Sequence, residues 1–196
     1  MSQITTRAGS VDAHLSQQRL LGIPINLSGA LDDGDNTLMV GAAGAITRLY
    51  INIKSATTLI SGITTGAALS GGVKLLTIPE AFQVVAARIT GVVSLSAATA
   101  TAASGELALG SVLGSGAAAT LTSTEENIHT ASAIGAIAAG VGTTYDAATV
   151  LGTIVGSVGN STDIFLNGSS SATGTAAANQ LFKGQISVWI RPLAHL

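Results

Sequence analysis

Residues Asp163–Arg191 read DIFLNGSSSATGTAAANQLFKGQISVWIR. Two apolar runs flank a loop of Gly, Ser, Thr, Ala and Asn. In the second run Phe182, Gly184, Ile186, Val188 and Ile190 alternate with Lys183, Gln185, Ser187, Trp189 and Arg191. A period of two puts these two sets on opposite faces of a half-buried strand. Pro192 has no N–H to give to a ladder and predicts the strand's end. The stretch reads as a hairpin closed by a small-residue loop, with the rest of the chain stacked around it as further strands.

Moving outward, Phe82–Leu95 (FQVVAARITGVVSL) reads as a long strand with Val85, Ala87, Ile89, Val93 and Leu95 on one side. Gly91 interrupts that face and predicts a bulge or bend. Val73–Ile78 is a shorter strand stopped at Pro79, with a turn at Glu80–Ala81. Ile46–Lys54 alternates cleanly: Leu49, Ile51 and Ile53 inward, Arg48, Tyr50, Asn52 and Lys54 outward. Glu106–Leu113 and Ala148–Val158 are weaker strands. Between them Ser123–Glu126 has the residues to open a helix that Ala131–Ala139 would continue, and a long Ala/Gly loop fits the same residues. About eight strands without strand–helix alternation predict an all-β fold, a β-sandwich with the jelly roll as its specific candidate form.

Residues 1–45 read as an extended N-terminal arm and docking segment, and 46–196 as the sandwich domain. In the arm Leu21, Ile23, Ile25 and Leu27 share a face. Pro24 on the other side predicts an edge strand, or a segment added to another subunit's sheet. Ile23, Ile25 and Leu27 are therefore candidate interface residues. So is Trp189, a single tryptophan on a polar face, where it either covers a loop of its own fold or anchors a subunit contact.

Composition narrows the function classes. Charged residues are 9% of the 196, against a usual ~25%. Hydrophobic residues are 47%, yet aromatics are only 3%, so the apolar content is small aliphatic side chains. A surface this poor in charge is best kept in solution by being covered, by copies of the chain or by a larger assembly. The formal net charge of −2 steers the chain toward neither nucleic acid nor an anionic membrane. Without cysteine there is no disulfide and no thiolate metal site. The first eighteen residues lack the basic and apolar regions of a secretory signal. Cytoplasmic synthesis followed by assembly is the expected setting.

No catalytic constellation emerges. The chain has no GxxxxGK[ST], and GSSSA at Gly168–Ala172 lacks the closing glycine of GxSxG. Asp32, Asp33, Asp35 and Asn36 are the oxygen-rich side chains calcium prefers, but the EF-hand order and its distal Glu are missing, so the segment reads as a solvated turn. Glu125, Glu126 and His129 would share a helix face. A closed metal site needs more ligands, and a polar helix start is the simpler reading. No cofactor and no enzymatic activity are expected.

Two segments resemble structural proteins of tailed-bacteriophage virions that decorate the head. LLTIPEAFQVVAARITGVVSL (Leu75–Leu95) is similar to their strand, IPE turn and long strand. DIFLNGSSSATGTAAANQLFKGQISVWI (Asp163–Ile190) is similar to their near-terminal strand, small-residue loop and final G-x-I-x-V-x-W strand. The resemblance spans about the C-terminal two-thirds. It implies a β-sandwich decoration or cement protein, often trimeric, bound to the major capsid protein lattice on the capsid exterior, with no nucleic acid or membrane partner. The competing reading is a receptor-binding module of a tail fibre or spike, which favours exposed aromatics that this chain largely lacks. A glycan hydrolase, needing paired carboxylates across a cleft, ranks last.

Overall fold

The computed structural model describes residues 27–29, 31, 36–43, 46–63, 68–96, 103–137, 143–155, 159–171 and 178–192. Nine strands occur among them: β1 (Thr37–Ala43), β2 (Ile46–Ile63), β3 (Ala68–Ile78), β4 (Phe82–Leu95), β5 (Ala103–Gly110), β6 (His129–Ile137), β7 (Thr143–Val155), β8 (Thr162–Ser171) and β9 (Ala178–Pro192). They form a five-stranded sheet, β1-β2-β9-β4-β7, and a four-stranded sheet, β3-β8-β5-β6. Every pairing is antiparallel. With β1 set aside, 2-9-4-7 faces 3-8-5-6, the strand order of a jelly roll built from two Greek keys. The all-β sandwich expected from the pattern is the fold.

The hairpin is not. β8 pairs with β3 and β5, and β9 pairs with β2 and β4. The two strands of the Asp163–Arg191 stretch thus belong to opposite sheets and meet across the core. Both present an apolar face: Ile164 and Leu166 from β8, Phe182, Ile186, Val188 and Ile190 from β9, all buried. Two apolar faces joined by a loop can lie side by side or face to face, and period two does not separate the cases.

Three more local expectations change. β4 carries its bulge at Val84–Ala86, not at Gly91. The extra residue turns Val84 into the core and leaves Val85 half-buried. Ser123–Glu125 is a single 3-10 turn, and His129–Ile137 is a strand, where a helix continuing over Ala131–Ala139 and a long Ala/Gly loop both fit the sequence. The segment's alanines suit a helix, but strand pairing with β5 buries Ile134 and Ile137, and tertiary burial outweighs propensity. The 45/46 boundary falls between β1 and β2 inside the sheet, because β1 pairs with β2 from Thr37 to Ala43. Leu31, before β1, is fully buried in the core.

Gly91 has a different role from the one read in the sequence. It stands opposite Gly184 in the β4–β9 ladder. A Cβ on Gly91 would lie 2.7 Å from Phe182 Cζ and 2.5 Å from Lys183 O. The glycine pair lets the Phe182 ring, fully buried, lie flat against the ladder.

The outer side of the four-stranded sheet is covered by the chain's own segment 111–128. Asn167 of β8, with no exposed surface, pins it. Its Oδ1 accepts from Gly114 N at 2.9 Å, and its Nδ2 donates to Val112 O at 2.9 Å and Glu125 O at 2.7 Å. Leu121 N donates to Glu106 Oε2 at 2.8 Å, and Ser70 N to Gly116 O at 3.0 Å. Gly72 and Gly110 leave room for this contact: a Cβ on Gly72 would collide with Asn167 Oδ1, and one on Gly110 with the Glu125 carbonyl.

Candidate interaction face

The outer side of the five-stranded sheet has no such cover among the described residues. Its side chains follow from strand parity. β2 contributes Ile46, Arg48, Tyr50, Asn52 and Lys54, and the central strand β9 contributes Lys183, Gln185, Ser187, Trp189 and Arg191. β4 adds Arg88, Thr90 and Val92, and β7 adds Asp146. Ile46 and Val92 are each 40% exposed.

Arg48 organises one end of this face. Register places it opposite Trp189. Its guanidinium carbon lies 5.2 Å from the Trp189 ring centroid and 5.1 Å from that of Tyr50, within cation–π range. Its Nε and Nη2 donate to Ser187 Oγ at 3.1 and 2.7 Å. Trp189 is half-buried. Among the described residues it shares the cation with Tyr50 on the open sheet face. Arg, Trp and Tyr are the residue types that dominate binding energy at protein interfaces.

At the other end Arg88 makes a bidentate pair with Asp146, Nε to Oδ1 at 2.9 Å and Nη2 to Oδ2 at 2.8 Å. Thr90 Oγ1 donates to the same Oδ1 at 2.9 Å. The bond from Arg88, then that from Thr90, holds the Asp146 carboxyl below the ordinary aspartate range. A depressed folded-state pKa stabilises the fold above the unfolded-state pKa, and that contribution is lost as pH falls through the lower folded-state value. Carboxyl-detected NMR is expected to find the Asp146 midpoint below that of a free aspartate and to find it raised in Arg88→Gln. An unchanged midpoint in the variant would mean the pair does not form in solution.

Of the arm residues proposed from sequence, Ile23 and Ile25 lie outside the described residues. Leu27 is half-buried and docks on its own chain. It bridges to Leu76 at the free edge of β3, and Ser28 N donates to Leu75 O at 2.7 Å. Leu27 and Trp189 thus sit on different sheets and are not brought together. Asp32, Asp33 and Asp35 lie outside the described residues. Asn36 is buried, with Nδ2 donating to Leu31 O at 3.0 Å and Oδ1 accepting from Lys54 N at 2.8 Å, so its amide ties the β1 entry to β2.

Glu125, Glu126 and His129 serve local structure. Glu125 accepts from Ser115 N and Thr122 N, and Glu126 from Ala131 N at 2.8 Å. His129 is buried, its Nδ1 donates to Thr130 O at 2.8 Å, and its ring packs at 6.3 Å from that of Tyr145. Among the described residues no group of three or more His, Asp or Glu side chains is placed to hold a metal, and no helix is long and apolar enough to cross a membrane.

Sequence reasoning placed Trp189 on the polar face but not its partners. Arg48 and Ser187 are 139 residues apart, and no local signal connects them.

No family model matches the chain, and no curated protein matches it. Among solved structures it is similar to a chain in the structure of infectious bursal disease virus Gx strain, at 13% identity and a TM-score of 0.40. The similarity covers 88% of this chain and 38% of the other.

Proposed function

We propose that this chain is a structural subunit of a tailed-bacteriophage particle, decorating the capsid exterior as a cement protein, and that it is not an enzyme. The observation that carries this reading is the asymmetry of the sandwich. One sheet is closed by its own segment 111–128, and the other presents, among the described residues, an uncovered face centred on Arg48, Tyr50 and Trp189. A 9% charge content supports the same reading, since a surface of this kind is best kept in solution within an assembly. So does the resemblance of Leu75–Leu95 and Asp163–Ile190 to head-decoration proteins.

In this reading the chain associates with itself as a homotrimer and with the major capsid protein lattice. A subunit that binds the assembled shell and not its dissociated chains stabilises the shell by mass action. The alternative, a receptor-binding module of a tail fibre, favours exposed aromatics, and is disfavoured by a chain with one Trp, two Tyr and three Phe.

Quantitative mass spectrometry of purified particles tests the proposal. The expected copy number is equal to that of the major shell protein or a simple lattice fraction of it. A trace ratio would transfer the chain to the tail, and absence from particles would reject a virion role.

A further inference from the structure

Charge in this molecule is sorted by face. Among the described residues the outer side of the five-stranded sheet carries Arg48, Lys54, Arg88, Lys183 and Arg191 against one carboxylate, Asp146. The covered side of the sandwich carries Glu106, Glu125, Glu126 and Asp163 against one cation, Lys74, which pairs with Asp163 at 2.7 Å. Among the described residues, then, one face is cationic although the formal charge of the chain is −2.

Within that face lies a depression of 730 Å³ lined by Asn52, Lys54, Thr90, Val92, Lys183 and Gln185. Backbone of Ile53, Gly91 and Gly184 also lines it. It sits where residues 54–56 of β2 stand against the single Lys183 of β9, an irregularity that interrupts the regular ladder. Among the described residues neither lysine has a carboxylate partner, whereas Lys74 and Arg88 each have one. Two ammonium groups at neighbouring cross-strand positions repel one another, and a bound anion between them removes that cost. The amides of Asn52 and Gln185 add neutral donors beside the two charged ones.

We propose that this depression binds a saccharide carrying a sulfate or phosphate group. The group sits between Lys54 and Lys183 in charge-assisted hydrogen bonds, and the sugar lies against Asn52, Gln185 and the exposed Val92. The depression is open to solvent and its wall is largely apolar, which suits a carrier lying along the sheet with its charged group at the lysines, and a lone tetrahedral oxyanion covers a small part of it. The inference is independent of whether the chain belongs to a virus particle.

The test is NMR titration of the isotope-labelled full chain at constant ionic strength. The probes are N-acetylglucosamine 6-sulfate, unsulfated N-acetylglucosamine, sodium sulfate and sodium phosphate. Saturable shifts at Asn52, Thr90 and Gln185 are expected with the sulfated sugar, and weaker ones with the inorganic ions. Lys54→Gln and Lys183→Gln are each expected to weaken binding about tenfold, while Lys74→Gln on the other face leaves it unchanged. Both lysines of the site are exposed, so these variants keep the fold. Equal affinity for inorganic sulfate and the sulfated sugar would retain the oxyanion site and assign its ligand to the free ion. Shifts that do not saturate, that respond equally to Lys74→Gln, or that are as large with the unsulfated sugar would overturn the proposal.

Discussion

Asn167→Leu is expected to destabilise the protein by ~3 kcal/mol, a fall of about 10 °C in melting temperature for a domain of this size. Leucine has as many side-chain heavy atoms as asparagine and suits a buried position, so no cavity is left. It comes from three backbone groups that asparagine satisfies in a site without exposed surface: Gly114 N–H, Val112 C=O and Glu125 C=O. A buried polar group left unpaired costs more than the net value of the bond it made. The segment has one route to recover that cost, which is to lift from the sheet and rehydrate. Hydrogen exchange at Gly114 is therefore expected to accelerate more than exchange in β9, where the ladder is untouched. Equal acceleration everywhere would mean that segment 111–128 and the sandwich open together and that Asn167 is not a local pin.

Phe182→Ala is expected to cost ~4 kcal/mol in denaturant unfolding. Phe182 is fully buried on the central strand of the five-stranded sheet. Gly91→Ala is expected to cost ~2 kcal/mol by overpacking. The added methyl meets the Phe182 ring at 2.7 Å and the Lys183 carbonyl at 2.5 Å. Backbone angle is not the reason, since Gly91 is not among the positive-φ glycines. The two changes share one space, so the double variant is expected to cost about 1 kcal/mol less than the sum of the singles. Strict additivity would show that the ring and the glycine are not coupled.

These two sites also mark where the sequence was legible. Strand β4 was readable with its bounds, because Phe82–Leu95 alternates and sits between Pro79 and a Ser/Ala/Thr run. The inward and outward sets of β2 and β9 were readable for the same reason. Parity within a strand is local, and it placed Trp189, Arg48 and Lys183 on polar faces. Sheet membership is not local. The face-to-face packing of β8 and β9, the Arg48–Trp189 contact and the gathering of cations on one side all depend on which strands become neighbours. Asn167 was quoted as part of a strand–loop pattern, yet nothing around it announced three partners lying 42 to 55 residues away. His129–Ile137 carries no period-two signal, because Ile134 and Ile137 stand three apart and both turn inward only through a register shift of the β5–β6 ladder between Ala133 and Gly135.

The place of β9 has a consequence for how the chain is made. It lies at the middle of its sheet, between β2 and β4, but it is the last of the described strands to leave the ribosome. Until Ala178–Pro192 emerges, the edges of β2 and β4 that will flank it have no partner from this chain, and their apolar faces have only half a core to cover. The cationic face and its depression are likewise unformed, since Lys183, Gln185 and Trp189 all come from that strand. Among the described strands, closure of the five-stranded sheet thus waits for the last one made. Until that strand arrives the unpaired edges are open to pairing with other chains.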